Sequence, residues 1–193
     1  MILELVAGLL GGGLIATGIS VWGQFRMARR QAELRHLDDA LRHVYGPVLH
    51  LLTLMQAFLG HSRDVLQKGT EAFNKPWADS ARESVTRQMT ATIGAANKFV
   101  PKVIDAMDQI ISIGKVAGHL VDLDDMEVFN EICLHRERLR VEYHDPDSKQ
   151  IPLQVLEKLG APFVYKEDWY ARIEASYRRK LDRYKALAGM GRA

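Results

Sequence analysis

Apolar positions fall along this chain in two regimes. From Leu5 to Trp22 the stretch LVAGLLGGGLIATGISVW carries no charge, and beyond it apolar residues recur at intervals of three and four. As a helix the uncharged stretch reaches roughly 27 Å, close to the hydrocarbon thickness of a bilayer, and so predicts a transmembrane span. Trp22 and Phe25 stand where interfacial aromatics belong, and Arg26, Arg29, Arg30 and Arg35 follow at once. Nothing positive precedes the span, so the positive-inside rule places the C-terminal side in the cytoplasm and the protein, single-pass, in the inner (cytoplasmic) membrane. A cleaved signal peptide would need a positive n-region, a shorter apolar stretch and a small-residue cleavage site before polar sequence. Here Glu4 is the only charge ahead of the span, and the apolar stretch runs straight into Arg-rich helical sequence.

Within the span, Gly8, Gly12, Ala16 and Ser20 recur every four residues, with Ala7, Gly11, Gly13 and Gly18 widening the small surface. Two helices that meet on such a ladder approach closely and gain van der Waals contact, which drives association in lipid. A homo-oligomer assembled through these four positions is the expectation.

In the second regime Leu34, Leu37, Leu41, Val44, Val48, Leu51, Met55 and Phe58 form an a/d seam over more than three heptads. Gly46-Pro47 interrupts it, and a kink or short break is expected there. The seam could pair with a second copy or fold onto later helices. Gly69 to Trp77 reads as a loop around Asn74-Lys75-Pro76. Ser80 and Glu83 form a capping box for a helix with Val85, Met89 and Ile93, and Pro101 restarts one carrying Val103, Ile104, Met107, Ile110 and Ile111. Asp122 to Asp125 opens another, with Phe129, Ile132 and Leu139 inward. After a loop from His144 to Pro152 come a short helix, Leu153 to Leu159, and a last one from about Asp168 to Ala188 striped by Trp169, Ile173, Tyr177, Leu181 and Tyr184. The fold class is all-α: a transmembrane anchor over 1–25, a juxtamembrane and heptad-like helix over 26–68 kinked at Gly46-Pro47, and a cytoplasmic helical bundle over 78–193.

Composition adds little to this except through charge. The 26 Lys and Arg nearly balance the 24 acidic residues, which argues against a nucleic-acid binder. The balance is uneven, however: Val103 to Glu131 holds seven acidic residues and one Lys, and Lys166 to Ala193 holds eight basic and four acidic. Charge so segregated means that the two stretches face different surroundings, or each other. Cys133 is the one cysteine of the chain, so no intrachain disulfide forms.

Three constellations bear on chemistry. His36, Asp39 and His43 share a helix face at i, i+3 and i+7, but both histidines fall at heptad position c, where a helix meets solvent, and no metal site is assigned. Arg138 to His144, RLRVEYH, has the arginine-to-histidine spacing of ribonucleases of the HEPN class, in which the histidine moves protons at the ribose hydroxyl. Leu139 stands where those motifs place a polar residue, and Arg30 to His36 satisfies the same spacing beside the membrane. No catalytic residue is therefore assigned, with Arg138 and His144 of a membrane-tethered ribonuclease as the alternative. The last helix carries Arg172, Arg178, Arg179, Lys180, Arg183 and Lys185, a face for anionic lipid or for solvent. No phosphate-cradling glycine loop, nucleophile elbow, HExxH or paired CxxC occurs, and no cofactor is expected.

One N-terminal span, an Arg-rich continuation and the element Val44-Tyr45-Gly46-Pro47-Val48 together give a layout that resembles the small membrane accessory proteins encoded beside type VI-B CRISPR effectors. The resemblance implies a divergent HEPN-like helical domain and a ring that permeabilises the membrane in antiviral defence. The expected partners are the lipid bilayer, further copies of the chain and, in a third reading, a cytosolic protein for which the chain is a passive scaffold.

Overall fold

The computed structural model describes the backbone of residues 2–73, 82–142 and 167–189, and the side chains of these from residue 21 onward apart from scattered positions. Every element among them is helical, and no strand occurs among the described residues. Helix α1 (Ile2–Ala40) passes through a π-helical turn (Leu41–Tyr45) into α2 (Gly46–Phe73). Then come α3 (Arg82–Asn97), α4 (Val100–Ala117), a 3₁₀ turn (Gly118–Leu120), α5 (Leu123–Glu142) and α6 (Glu167–Ala188). The capping box at Ser80, the loop from His144 and the short helix from Leu153 lie outside the described residues.

At Gly46-Pro47 the helical run does not break; it widens into a π turn one turn earlier. Proline has no N–H to donate, and its ring presses on the carbonyl four residues back. Slipping one residue into the preceding turn relieves that pressure, and the Gly46 N–H then bonds to Leu41 O, five residues back. A Cβ at Gly46 would lie 2.9 Å from that same carbonyl oxygen, so the turn as built requires glycine. The wide turn also carries Val44 and Tyr45, consecutive residues, into the core together.

The heptad seam folds inward onto its own chain. Leu37, Leu41, Val44, Val48, Leu51 and Met55 are buried, and Ala40, Tyr45, Leu52 and Leu59 beside them are buried too. That breadth is the stripe of a globular-core helix, wider than a coiled-coil seam. Val103, Ala106, Met107 and Ile110 of α4, Val128, Phe129, Ile132 and Leu139 of α5, and Trp169 and Ile173 of α6 complete the cluster. Helices α4 and α5 pack tightly at Gly114, where an added Cβ would lie 2.7 Å from the Phe129 ring.

Two expectations need correction. The loop placed at Gly69 starts later, because α2 continues to Phe73 and Gln67 Nε2 bonds Glu71 Oε1 across the glycine at 2.9 Å. On α6 the inward line after Ile173 is Ser176 and Lys180, both buried, while Tyr177, Leu181 and Tyr184 are half-buried. As for the transmembrane helix, the backbone over Leu5–Trp22 is helical, yet no helix among the described residues is long and apolar enough to cross a membrane. All of that stretch before Val21 has its side chains outside the described set.

Candidate functional site

Polar side chains converge at one place inside the bundle, where the π turn meets the start of α5 and the middle of α6. The Tyr45 hydroxyl donates to Asp125 Oδ2 at 2.7 Å and accepts from the backbone N–H of Asp122 at 3.1 Å. Ser176 Oγ donates to the other Asp125 oxygen at 3.0 Å. Lys180 Nζ reaches Asp122 Oδ1 at 2.6 Å and sits 5.1 Å from the centre of the Tyr45 ring, a cation–π contact. Arg179 adds contacts to Asp122 and to Ser176 Oγ from the rim. Tyr45, Asp125, Ser176 and Lys180 are all buried.

The local sequence explains this convergence. Asp122 O accepts from Asp125 N and Met126 N at 3.0 and 3.1 Å, which opens α5. Its side chain is thereby left for Lys180 and Arg179. Asp124 and Asp125 in the first turn suit the positive end of the helix dipole. Burial pushes the Tyr45 phenol far above its ordinary range, and its bond to Asp125 raises it further against the lowering bond from Asp122. Tyr45 thus keeps its proton throughout the physiological range and acts as a hydrogen-bond donor.

The chain matches no protein-family model, no curated protein and no solved structure.

Of the residues singled out by spacing, several lie outside the described residues. Gly8, Gly12, Ala16 and Ser20 lie on α1, with side chains outside the described residues. Arg138 is exposed on α5, and His144 is outside the described residues. His36, Asp39 and His43 are exposed, and His43 lies within the π turn, which alters its register relative to His36 and Asp39. Asp39 and His43 instead line an open groove of about 590 Å³ with Ser112, Ile113, Val116 and His119. Among the described residues no three His, Cys, Asp or Glu side chains are placed to hold a metal ion.

The basic helix and the acidic stretch face each other. Arg172 bonds Glu127 and the Asp124 carbonyl, Lys180 and Arg179 take Asp122, and Trp169 Nε1 donates to Glu131 at 2.6 Å. Toward its other end α6 runs back along α1: Arg183 pairs with Glu33 at 2.8 Å, and Arg30 donates through Nε and Nη2 to Leu187 O. Sequence reasoning missed Ser176 and Lys180, because two polar residues on the inward line read as solvent-facing. The available signal was the spacing Trp169, Ile173, Ser176, Lys180, which continues one helix face.

Proposed function

We propose that this chain is a single-pass membrane protein whose helical bundle sits at the cytoplasmic surface and which acts by self-assembly in the bilayer rather than by catalysis. A pore or membrane-perturbing complex, of the kind implied by the resemblance to antiviral accessory proteins, is the concrete form of the proposal. One observation carries it. Val21, Trp22, Phe25 and Met27 are 58%, 63%, 72% and 55% exposed on α1, on either side of Arg26, the first arginine after the uncharged stretch. Large apolar side chains as exposed as these among the described residues are unfavourable in water, whereas a headgroup layer accommodates aromatic rings and arginines together. Arg26 stacks on the Trp22 ring at 5.4 Å, a pairing suited to that layer.

Assembly is assigned to the Gly8, Gly12, Ala16, Ser20 ladder because the other pairing surface, the seam from Leu37 to Met55, is spent inside the bundle. Gly12→Leu tests it. A branched side chain there holds two backbones apart, and about 1 Å of extra gap removes a quarter to a half of each dispersion contact. The variant is expected in the membrane in normal amount but as a smaller species in mild detergent, with any membrane leakage lost. Leu10→Ala, on roughly the opposite face, is the control and should change neither. Wild-type size and activity in Gly12→Leu would remove the ladder as the assembly surface.

A further inference from the structure

We infer that the C-terminal end of α6 is a basic foot resting on the anionic headgroups of the bilayer that α1 enters. The inference rests on the membrane reading of α1 and adds to it a second, electrostatic contact made by a distant part of the chain.

Direction comes first. Arg183 meets Glu33, and four residues later the Leu187 carbonyl meets Arg30, so α6 runs antiparallel to α1 and heads toward Trp22. From Trp22 to Arg30 along a helix is about 12 Å. The headgroup layer is about 5–8 Å deep on each side, and screening at physiological salt extends about 8 Å beyond it. The contact between the two helices therefore lies within reach of the surface potential.

Charge comes second. The paired segments 26–33 and 182–189 carry Arg26, Arg29, Arg30, Arg183 and Lys185, five basic residues against the two acidic ones Glu33 and Asp182. All five basic side chains are exposed. A bare helix C-terminus would present partly negative carbonyls to an anionic surface and be repelled. Here the Arg30 guanidinium covers the Leu187 carbonyl and reverses the sign of that end. Farther back on α6, Arg172, Arg179 and Lys180 pair with Glu127 and Asp122, and Arg178 with Glu174 on α6 itself, whereas Lys185 and the end of the helix stand beside the arginines of α1.

The test uses the full chain carrying Cys133→Ser and Ala186→Cys, with a fluorescent donor at position 186, an exposed site on the foot. It is reconstituted in phosphatidylcholine vesicles with or without phosphatidylglycerol, with an energy-transfer acceptor on the headgroups. Transfer should be stronger in the anionic vesicles and should collapse toward the neutral value in about 1 M salt, where the screening length is ~3 Å. Arg29→Gln with Lys185→Gln leaves the Arg30–Leu187 and Arg183–Glu33 contacts intact. It should shift the balance between seated and lifted foot about twenty-five-fold, at about fivefold per charge. Equal transfer in neutral and anionic vesicles, or transfer indifferent to salt, would overturn the foot. A response to added single-stranded RNA without one to anionic lipid would overturn it in favour of nucleic acid. Extraction by alkaline carbonate separates the two readings. A retained protein without lipid response loses the foot alone, and an extracted protein loses the anchor and the foot with it.

Discussion

The Tyr45 hydroxyl joins two positions three residues apart at the start of α5, and its ring carries the Lys180 ammonium. Replacing it by phenylalanine keeps the buried ring but leaves Asp125 short of one donor and the Asp122 N–H without its acceptor. The cost of such orphaned groups is about 1–3 kcal/mol, and chemical denaturation of Tyr45→Phe should show a loss of that size. The alkaline limb gives a sharper test. Burial raises the folded-state pKa of this phenol above its ordinary 10.0, so above that pH the unfolded chain releases a proton that the folded one retains. Stability from this group is full below the ordinary value and is lost as pH rises. Denaturation midpoints at about pH 9 and about pH 11 should fall more for wild type than for Tyr45→Phe. Parallel declines would show that Tyr45 is not the group responsible.

At the scale of an element, the π turn at Leu41–Tyr45 shifts the helical register between α1 and α2 and buries Leu41, Val44 and Tyr45 together. It is the response of a helix to a proline that must be accommodated without breaking, and it depends on the absence of a side chain at Gly46. Gly46→Ala puts a carbon against the Leu41 carbonyl, which is backbone and cannot swing away. After the helix-propensity gain of about 1 kcal/mol, a net loss of about 1–2 kcal/mol is expected. Gly60→Ala in the same long helix meets nothing within 4 Å and should be stabilising by about 0.5–1 kcal/mol. Opposite signs for two identical substitutions, read by thermal melting, check the claim; two gains would show that the turn tolerates a Cβ.

For the whole molecule, the arrangement of charge and the path of α6 work together. The acidic start of α5 takes the middle of α6, and Glu33 and Arg30 take its end, so the last helix ties the bundle to the segment just beyond the proposed span. In the proposed topology every arginine of that segment lies on the cytoplasmic side. A reporter fused after Ala193 should then be active in the cytoplasm and silent in the periplasm, and periplasmic activity would reverse the orientation.

Helix positions were largely legible in the sequence, because a three-and-four spacing of apolar residues such as Leu37 to Met55 has one cheap conformation in which those side chains share a face. The all-α class, the inward Phe129, Ile132 and Leu139, and a disturbance at Gly46-Pro47 follow from local sterics and periodicity alone. Local rules could not say which surface that seam would meet, since a second copy and α4 offer it the same apolar contact. Tertiary packing set it against α4 and α6. Nor could they place Ser176 and Lys180 inside, because a buried polar group is tolerable only when its partner is brought to it, and Asp125 and Asp122 lie some fifty residues away in the chain. The same holds for the basic end of α6. Its charges were plain in the sequence, but that they stand beside the arginines following Trp22 depends on an antiparallel contact of two helices more than a hundred residues apart, which no local pattern encodes.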